Sequence, residues 1–181
     1  VSDMSQATKD YVISAVRAEP SLEAIVRELK DRVDILETMH AYCRHADNLD
    51  GDGMSALFVE DCVANFIPGG EETMLRGRRA LNDFLNMALG GTVSGSHHIA
   101  NEELIFQTPD QVILHCYMYS WQRFTGFPVT ADCHRWGRYE NRFVRTADGW
   151  RMDRLKLISA GEYGGARIGE QLGRPFPPKF E

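Results

Sequence analysis

No run of apolar residues in this chain approaches the roughly 20 that a membrane-spanning helix needs. Basic residues are not in excess: 20 Lys and Arg stand against 26 Asp and Glu, a formal net charge of −6. That balance argues against nucleic acid or an anionic membrane surface as the main partner. Neither G-x-G-x-x-G nor a P-loop pattern occurs, so nothing supports nucleotide binding. The four cysteines, Cys43, Cys62, Cys116 and Cys133, are scattered. None forms a C-x-x-C pair, which excludes zinc-ribbon and thioredoxin-like designs. Among apolar neighbours they read as reduced thiols of a cytoplasmic protein. No His/Cys/Asp spacing suits a catalytic metal, so neither metal nor cofactor is expected. Asn48-x-Asp50-x-Asp52-Gly53 begins like a calcium loop, but its twelfth position, where a Glu is required, is Val59. No basic segment followed by an apolar one opens the chain, so no signal peptide is expected.

What is there is ordinary globular material: 181 residues, 43% apolar and 25% charged, enough for one domain with a substantial core. We divide it into an N-terminal extension (1–20), a domain (21–163) and an irregular Gly- and Pro-rich tail (164–181). The extension has room for a short helix around Asp10–Arg17. Ser21 is placed to cap a helix beginning at Leu22. From there Leu22, Ile25, Val26, Leu29, Val33, Leu36, Met39 and Tyr42 recur at three- and four-residue steps. That spacing predicts one apolar stripe on a helix of about seven turns, with Asp47 in its last turn or just beyond.

Asp50-Gly51-Asp52-Gly53 breaks that helix. A short helix over Met54–Val59, a strand over Cys62–Ile67, a turn at Pro68-Gly69-Gly70 and a third helix over Gly77–Leu89 follow. The last presents Leu81, Phe84, Leu85 and Ala88 on one face. The remainder reads as antiparallel strands: His98–Gln107, Gln111–Thr125, Val129–Thr146 and Trp150–Gly161. Asp148-Gly149 marks a hairpin. Helices first and a long meander afterwards predict an α+β fold. Strands of this length must coil or bulge. The expected form is therefore a curved antiparallel sheet closed by the N-terminal helices, a cone-shaped α+β barrel with a central pocket.

Two residues about fifty apart carry the chemistry. Asp47 closes the long helix, and His98, in Gly-Ser-His97-His98-Ile-Ala-Asn101, opens an extended pattern. A carboxylate that orients an imidazole makes a general base near neutral pH, because it fixes the tautomer and stabilises the imidazolium. His97 cannot share a face with His98, since strand side chains alternate. Asp47 is also unfavourable at a helix C-terminus, where the dipole prefers cations, which suits a residue placed for function. Parity puts Cys116, Met118 and Ser120 on one face of their strand and His115, Tyr117, Tyr119 and Trp121 on the other. Asp132 and His134 are expected to support that aromatic face.

Three stretches resemble the SnoaL-like branch of the nuclear-transport-factor-2-like superfamily. They are Tyr42-x-x-x-x-Asp47, His97-His98-Ile-Ala-Asn101, and Gly137-Arg-Tyr139-Glu-Asn141-Arg-Phe143-Val-Arg before the Gly149-Trp150 hairpin. The resemblance runs from about Ser21 to Gly161. It is strongest to the members that dehydrate or dehydrochlorinate their substrates, such as scytalone dehydratases, bile acid 7α-dehydratases and lindane dehydrochlorinases. It implies that His98 removes a proton from carbon, that Asp47 orients it, and that Tyr42 polarises the substrate or donates a proton. It also implies a substrate-binding surface made by Asn141, Ser120, Tyr139, Met118 and Cys116. A second acidic or histidine residue of both dehydratases falls here near Ser120. An arginine that assists chloride departure falls near Leu155. The aspartate base of ketosteroid isomerase falls near Asn65 or Phe66.

The activity so implied is that of a cofactor-independent lyase or isomerase acting on a hydrophobic cyclic small molecule. The expected assembly is a homo-oligomer, dimer or trimer, formed through the face of Tyr117, Tyr119 and Trp121, with no nucleic-acid or membrane partner. The alternatives are a non-catalytic scaffold subunit like the β-subunit of an aromatic-ring dioxygenase, and a small-ligand-binding protein.

Overall fold

The computed structural model describes residues 20–66 and 74–164. The expected helix around Asp10–Arg17, the turn at Pro68-Gly69-Gly70 and the tail beyond Gly164 lie outside the described residues. The chain divides into two compact units, residues 1–31 and 32–181. Of the first, the described part is the opening of helix α1 (Leu22–Asp47). Ser21 caps it as expected, its hydroxyl accepting from the Ala24 amide at 3.2 Å. Leu22, Ile25, Val26 and Leu29 are exposed there.

The rest of α1 belongs to the second unit. Val33 is exposed as well, whereas Ile35, Met39, Tyr42, Cys43 and Ala46 are buried. The apolar stripe read from the sequence therefore does not run the full helix as a core-facing stripe. Its C-terminal turns enter the core of the second unit.

Helix α2 (Gly51–Ala56) follows at once. Asp50 caps it, accepting from the Gly53 amide at 2.8 Å, and its other oxygen meets His45 Nδ1 at 2.7 Å. The calcium-like acids thus have a structural use, since Asp52 accepts a hydrogen bond from the Asn86 side chain. Gly51 is where α2 touches α3 (Arg78–Leu89): a Cβ there would stand 2.5 Å from Asn86 Oδ1. Leu81, Phe84, Leu85 and Leu89 form the buried face of α3.

The strands are β1 (Phe58–Asn65), β2 (Leu75–Arg76), β3 (Thr92–Thr108), β4 (Gln111–Phe124), β5 (Cys133–Thr146) and β6 (Gly149–Tyr163). They form one six-stranded sheet in the order β2-β1-β6-β5-β4-β3. One expectation needs correction: the sheet is mixed rather than purely antiparallel, because β1 lies parallel to β6. The sheet itself is open, with β2 and β3 at its edges, in keeping with the expected cone-shaped α+β form. β3 begins at Thr92, six residues before the expected start. Val129–Ala131 is a short 3-10 turn ahead of β5.

Register shifts bend the long strands, three in β3 and two in β6. In β3 the pairing steps from Ala100↔Tyr117 to Glu103↔His115, so β3 carries one extra residue. Asn101 absorbs it at φ 57, a left-handed conformation that asparagine tolerates better than most side chains. In β6 the pairing steps from Trp136↔Gly161 to Gly137↔Ser159, and from Arg142↔Arg154 to Phe143↔Met152. Across these shifts Leu114, Cys116, Met118, Tyr139, Phe143, Leu155, Leu157 and Met152 all stay buried. The second half of α1 packs on that face. Met39 meets Asn141, Tyr42 meets Tyr139, and Asp47 meets His97.

Candidate active site

Asp47 is the last residue of α1, and its Oδ1 lies 2.7 Å from Nδ1 of His97. The expected partner, His98, is not in this pair. His98 points to the opposite face of β3, exposed, with Nε2 2.9 Å from the Ser96 hydroxyl and its ring 6.0 Å from Tyr119. The cause is the bulge at Asn101. Leu104 pairs with buried Leu114, and Phe106 with buried Val112, so both face inward. Unbroken alternation from them would turn His98 inward. One extra residue reverses every side chain beyond it and brings His97 in instead.

The His97 side chain is 15% exposed and that of Asp47 32%, so the pair is sheltered while still reachable. A carboxylate this close takes the Nδ1–H of a neutral imidazole and leaves the lone pair on Nε2. Gly95, two residues earlier on the same face, lies beside the carboxylate: a Cβ there would sit 3.9 Å from Asp47 Oδ1, an ordinary contact.

Cross-strand register places a polar row beside this pair. His97 pairs with Ser120, Ser120 with Arg135, and Arg135 with Glu162. Arg135 Nη2 donates to Glu162 Oε2 at 3.0 Å. Inward-facing rows follow one another every two residues, about 6.6 Å apart. The next holds Ile99, Met118 and Gly137, and the one after it Cys116 and Tyr139. Asn141 stands in the row beyond, three from His97, opposite Leu114 and Leu155.

The expected site residues therefore fall into two groups. Ser120 and Met118 lie beside His97. Tyr42, Tyr139 and Cys116 lie deeper, with the two tyrosine rings edge to face at 6.4 Å. Burial, with Tyr139 adding to it, holds the Tyr42 hydroxyl well above its usual pKa. Burial raises Tyr139 in the same way. Both remain neutral donors. Burial also pushes the Cys43 and Cys116 thiols up to about 12, so neither is a nucleophile. Asn141 is fully buried and donates from Nδ2 to the Met39 sulfur at 3.3 Å; its Oδ1 has no partner among the described residues. It belongs to the floor of the core and does not meet the Asp47–His97 pair.

On the outer face Tyr117, Tyr119, Trp136 and Tyr163 are exposed. Trp121 is not free there: its Nε1–H donates to Asp132 at 2.9 Å, and Arg123 clasps the same carboxylate through Nε and Nη2. His134 supports Tyr119 through a 2.8 Å hydrogen bond. Asp132 and His134 thus brace this face, as their parity suggested. Among the described residues no group of His, Cys, Asp and Glu is arranged to hold a metal ion.

The chain belongs to the SnoaL-like domain family, which matches residues 27–156. Solved structures share the fold. A candidate scytalone dehydratase from Novosphingobium aromaticivorans is 23% identical, with a TM-score of 0.70 over 77% of this chain and 91% of that one. The hexachlorocyclohexane dehydrochlorinase LinA-type3 from Novosphingobium barchaimii is 14% identical, with a TM-score of 0.63 over 76% and 91%. A candidate aromatic ring hydroxylase from N. aromaticivorans is 21% identical, with a TM-score of 0.64 over 74% and 91%. No curated protein matches this chain.

Proposed function

We propose that the protein is a lyase or isomerase that removes a proton from carbon of a hydrophobic, cyclic small molecule, with His97 as base and Asp47 as its orienting partner. The observation that carries this reading is the 2.7 Å contact between Asp47 Oδ1 and His97 Nδ1, with the Ser120–Arg135 row on one side and the apolar Ile99 and Met118 in the next row. In such surroundings the few polar contacts are strong, because little water screens them. Proton uptake at Nε2 makes an imidazolium beside the carboxylate, and that charge pair offsets the cost of the step. Ile99 and Met118 offer apolar surface to a ring next to the imidazole. Tyr42 and Tyr139 are hydroxyl donors for a substrate long enough to reach them. The dehydratase and dehydrochlorinase neighbours favour elimination over other chemistry. The chain's own residues perform this step without calling on a cofactor.

The test is turnover of a panel of cyclic β-hydroxy ketones, steroids and halogenated rings in buffer with chelator, by wild type and Asp47→Asn. Wild-type turnover, reduced but not abolished by Asp47→Asn, supports the reading. Equal rates from both proteins would remove the carboxylate from the mechanism, and loss of wild-type turnover with chelator would assign the chemistry to a metal.

The exposed outer aromatics favour assembly, with a second copy of this chain as the occupant. Homo-oligomers in light scattering that dissociate in a Tyr119→Ser/Trp136→Ser variant support this. Copurification with a larger iron–sulfur subunit would favour the scaffold reading instead.

A further inference from the structure

We propose that Arg135 is the anion-holding residue of this site, binding the oxygen of the substrate that becomes negative when His97 takes its proton. The proposal deepens the lyase reading and rests on it for the reaction, but not for the binding. Arg135 faces inward in the same cross-strand row as His97, with only Ser120 between them. Two strand spacings separate the imidazole from the guanidinium, about 10 Å between backbones. The Arg135 side chain is 23% exposed. Its Nε is buried and has no hydrogen-bond partner among the described residues. A buried guanidinium N–H without a partner is costly, and natural structures seldom leave one unless something else binds there. Glu162 holds the far edge of the group through Nη2 and fixes where Nε points.

The charges fit the chemistry. Asp47 stabilises the positive charge that His97 acquires, and Arg135 stabilises the negative charge left on the substrate. His97 Nε2 accepts the proton from a carbon next to a carbonyl. The C–H electron pair becomes a C=C bond, and the carbonyl π pair moves onto oxygen. The enolate oxygen is received by Arg135 Nε–H, with the Ser120 hydroxyl next to it. The enolate then re-forms the carbonyl and expels a β-substituent: halide leaves as the anion, or hydroxyl leaves as water after taking the proton back from His97. No further reactant is needed. The substrate class this selects is a ring ketone with a leaving group β to the carbonyl, rather than a plain hydrocarbon or halocarbon ring.

Binding can be read without turnover, using 4-nitrophenol as a planar probe whose phenolate mimics the enolate and absorbs in the visible. Wild type is expected to bind the phenolate in preference to the phenol and to lower the apparent pKa of the bound probe. Arg135→Met should weaken phenolate binding by about tenfold or more, the size of a charge-assisted hydrogen bond, and abolish the pKa shift. Arg135→Lys should restore part of it. Glu162→Gln, which removes the competing carboxylate, should tighten phenolate binding, a gain that damage to the fold would not produce. Failure of wild type to bind the phenolate, or an unchanged pKa shift in Arg135→Met, would overturn the proposal. If Arg135→Met does not fold, weaker binding by Glu162→Gln overturns it equally. His97→Ala should still bind the phenolate. A protein that binds phenolate through Arg135 and turns over no ketone keeps the anion site and loses the lyase reading.

Discussion

Asn101 decides which histidine faces the carboxylate, and replacing it should be felt in both stability and the site. Its φ of 57 is strained for any residue with a Cβ, and for a β-branched one more than for asparagine. Holding valine there costs about 1–2 kcal/mol relative to an unstrained backbone. In a domain of this size about 1 kcal/mol shifts Tm by roughly 2–4 °C, so Asn101→Val should melt about 2–8 °C below wild type. The fold should survive, since native domains hold about 5–15 kcal/mol. Asn101→Gly, which enters the left-handed region freely, should lie within a degree or two of wild type despite its greater chain entropy. The same strain can be relieved by sliding Thr92–Ala100 one residue along β4, which would turn His97 out of the site. Asn101→Val should therefore also lose the downfield Nδ1–H proton resonance of the Asp47–His97 hydrogen bond in part of the population. Thermal melts by circular dichroism and proton NMR of the imidazoles read both effects. A valine variant as stable as wild type, beside a destabilised glycine variant, would refute the argument that backbone strain at the bulge sets the register.

The four cysteines are buried, with burial pushing Cys43 and Cys116 to about 12 and Cys62 to about 11, so a thiol reagent at pH 8 should modify none of them until denaturant is added. Asp132 has its pKa lowered, first by the hydrogen bonds from Arg123 and further by that from Trp121. Its stabilising contribution is thus complete above the ordinary carboxylate value near 4 and is lost as the pH falls through the lower folded value. Asp132→Asn should destabilise the protein at pH 7 and make its acid limb shallower, as followed by urea unfolding across pH 2–7. Gly51→Ala forces a methyl against the Asn86 side chain and should cost about 1–3 kcal/mol in the same assay, whereas Gly91→Ala meets no neighbour and is limited to the strain of its positive φ.

Much of this structure was legible in the chain. The periodicity of α1, the cap at Ser21, the carboxylate at the helix end and the order of helices before strands all rest on local rules, and all appear. Simple alternation separated the two faces of β4, and the resemblance marked the one with Cys116, Met118 and Ser120 as inward. Alternation failed where it was interrupted. A bulge adds a residue without changing composition, so nothing in Ser-His-His-Ile-Ala-Asn shows which histidine turns in. The clue was an asparagine, able to take positive φ, inside an extended stretch. The parallel pairing of β1 with β6 is a long-range choice that short-range pattern does not encode. Within the second unit the stripe read from the sequence holds from Met39 and Tyr42 onward, while Val33 on the same stripe is exposed. Arg135 was readable in principle. It alternates with Gly137, Tyr139, Asn141 and Phe143, and a cation on that inward series was the signal. Asn141 shares the series but stands three rows from His97, a separation that only the strand register reveals.

The central claim is that His97, held by Asp47, is the base and its neighbour is not. The most direct measurement compares kcat/KM of His97→Ala and His98→Ala on whichever panel substrate the wild type turns over. General-base catalysis is worth roughly 10²–10⁴-fold, so His97→Ala should fall by about that factor. His98→Ala, whose ring lies on the far face against Tyr119, should stay within a few-fold of wild type. Loss of activity in His98→Ala with His97→Ala left active would contradict the account.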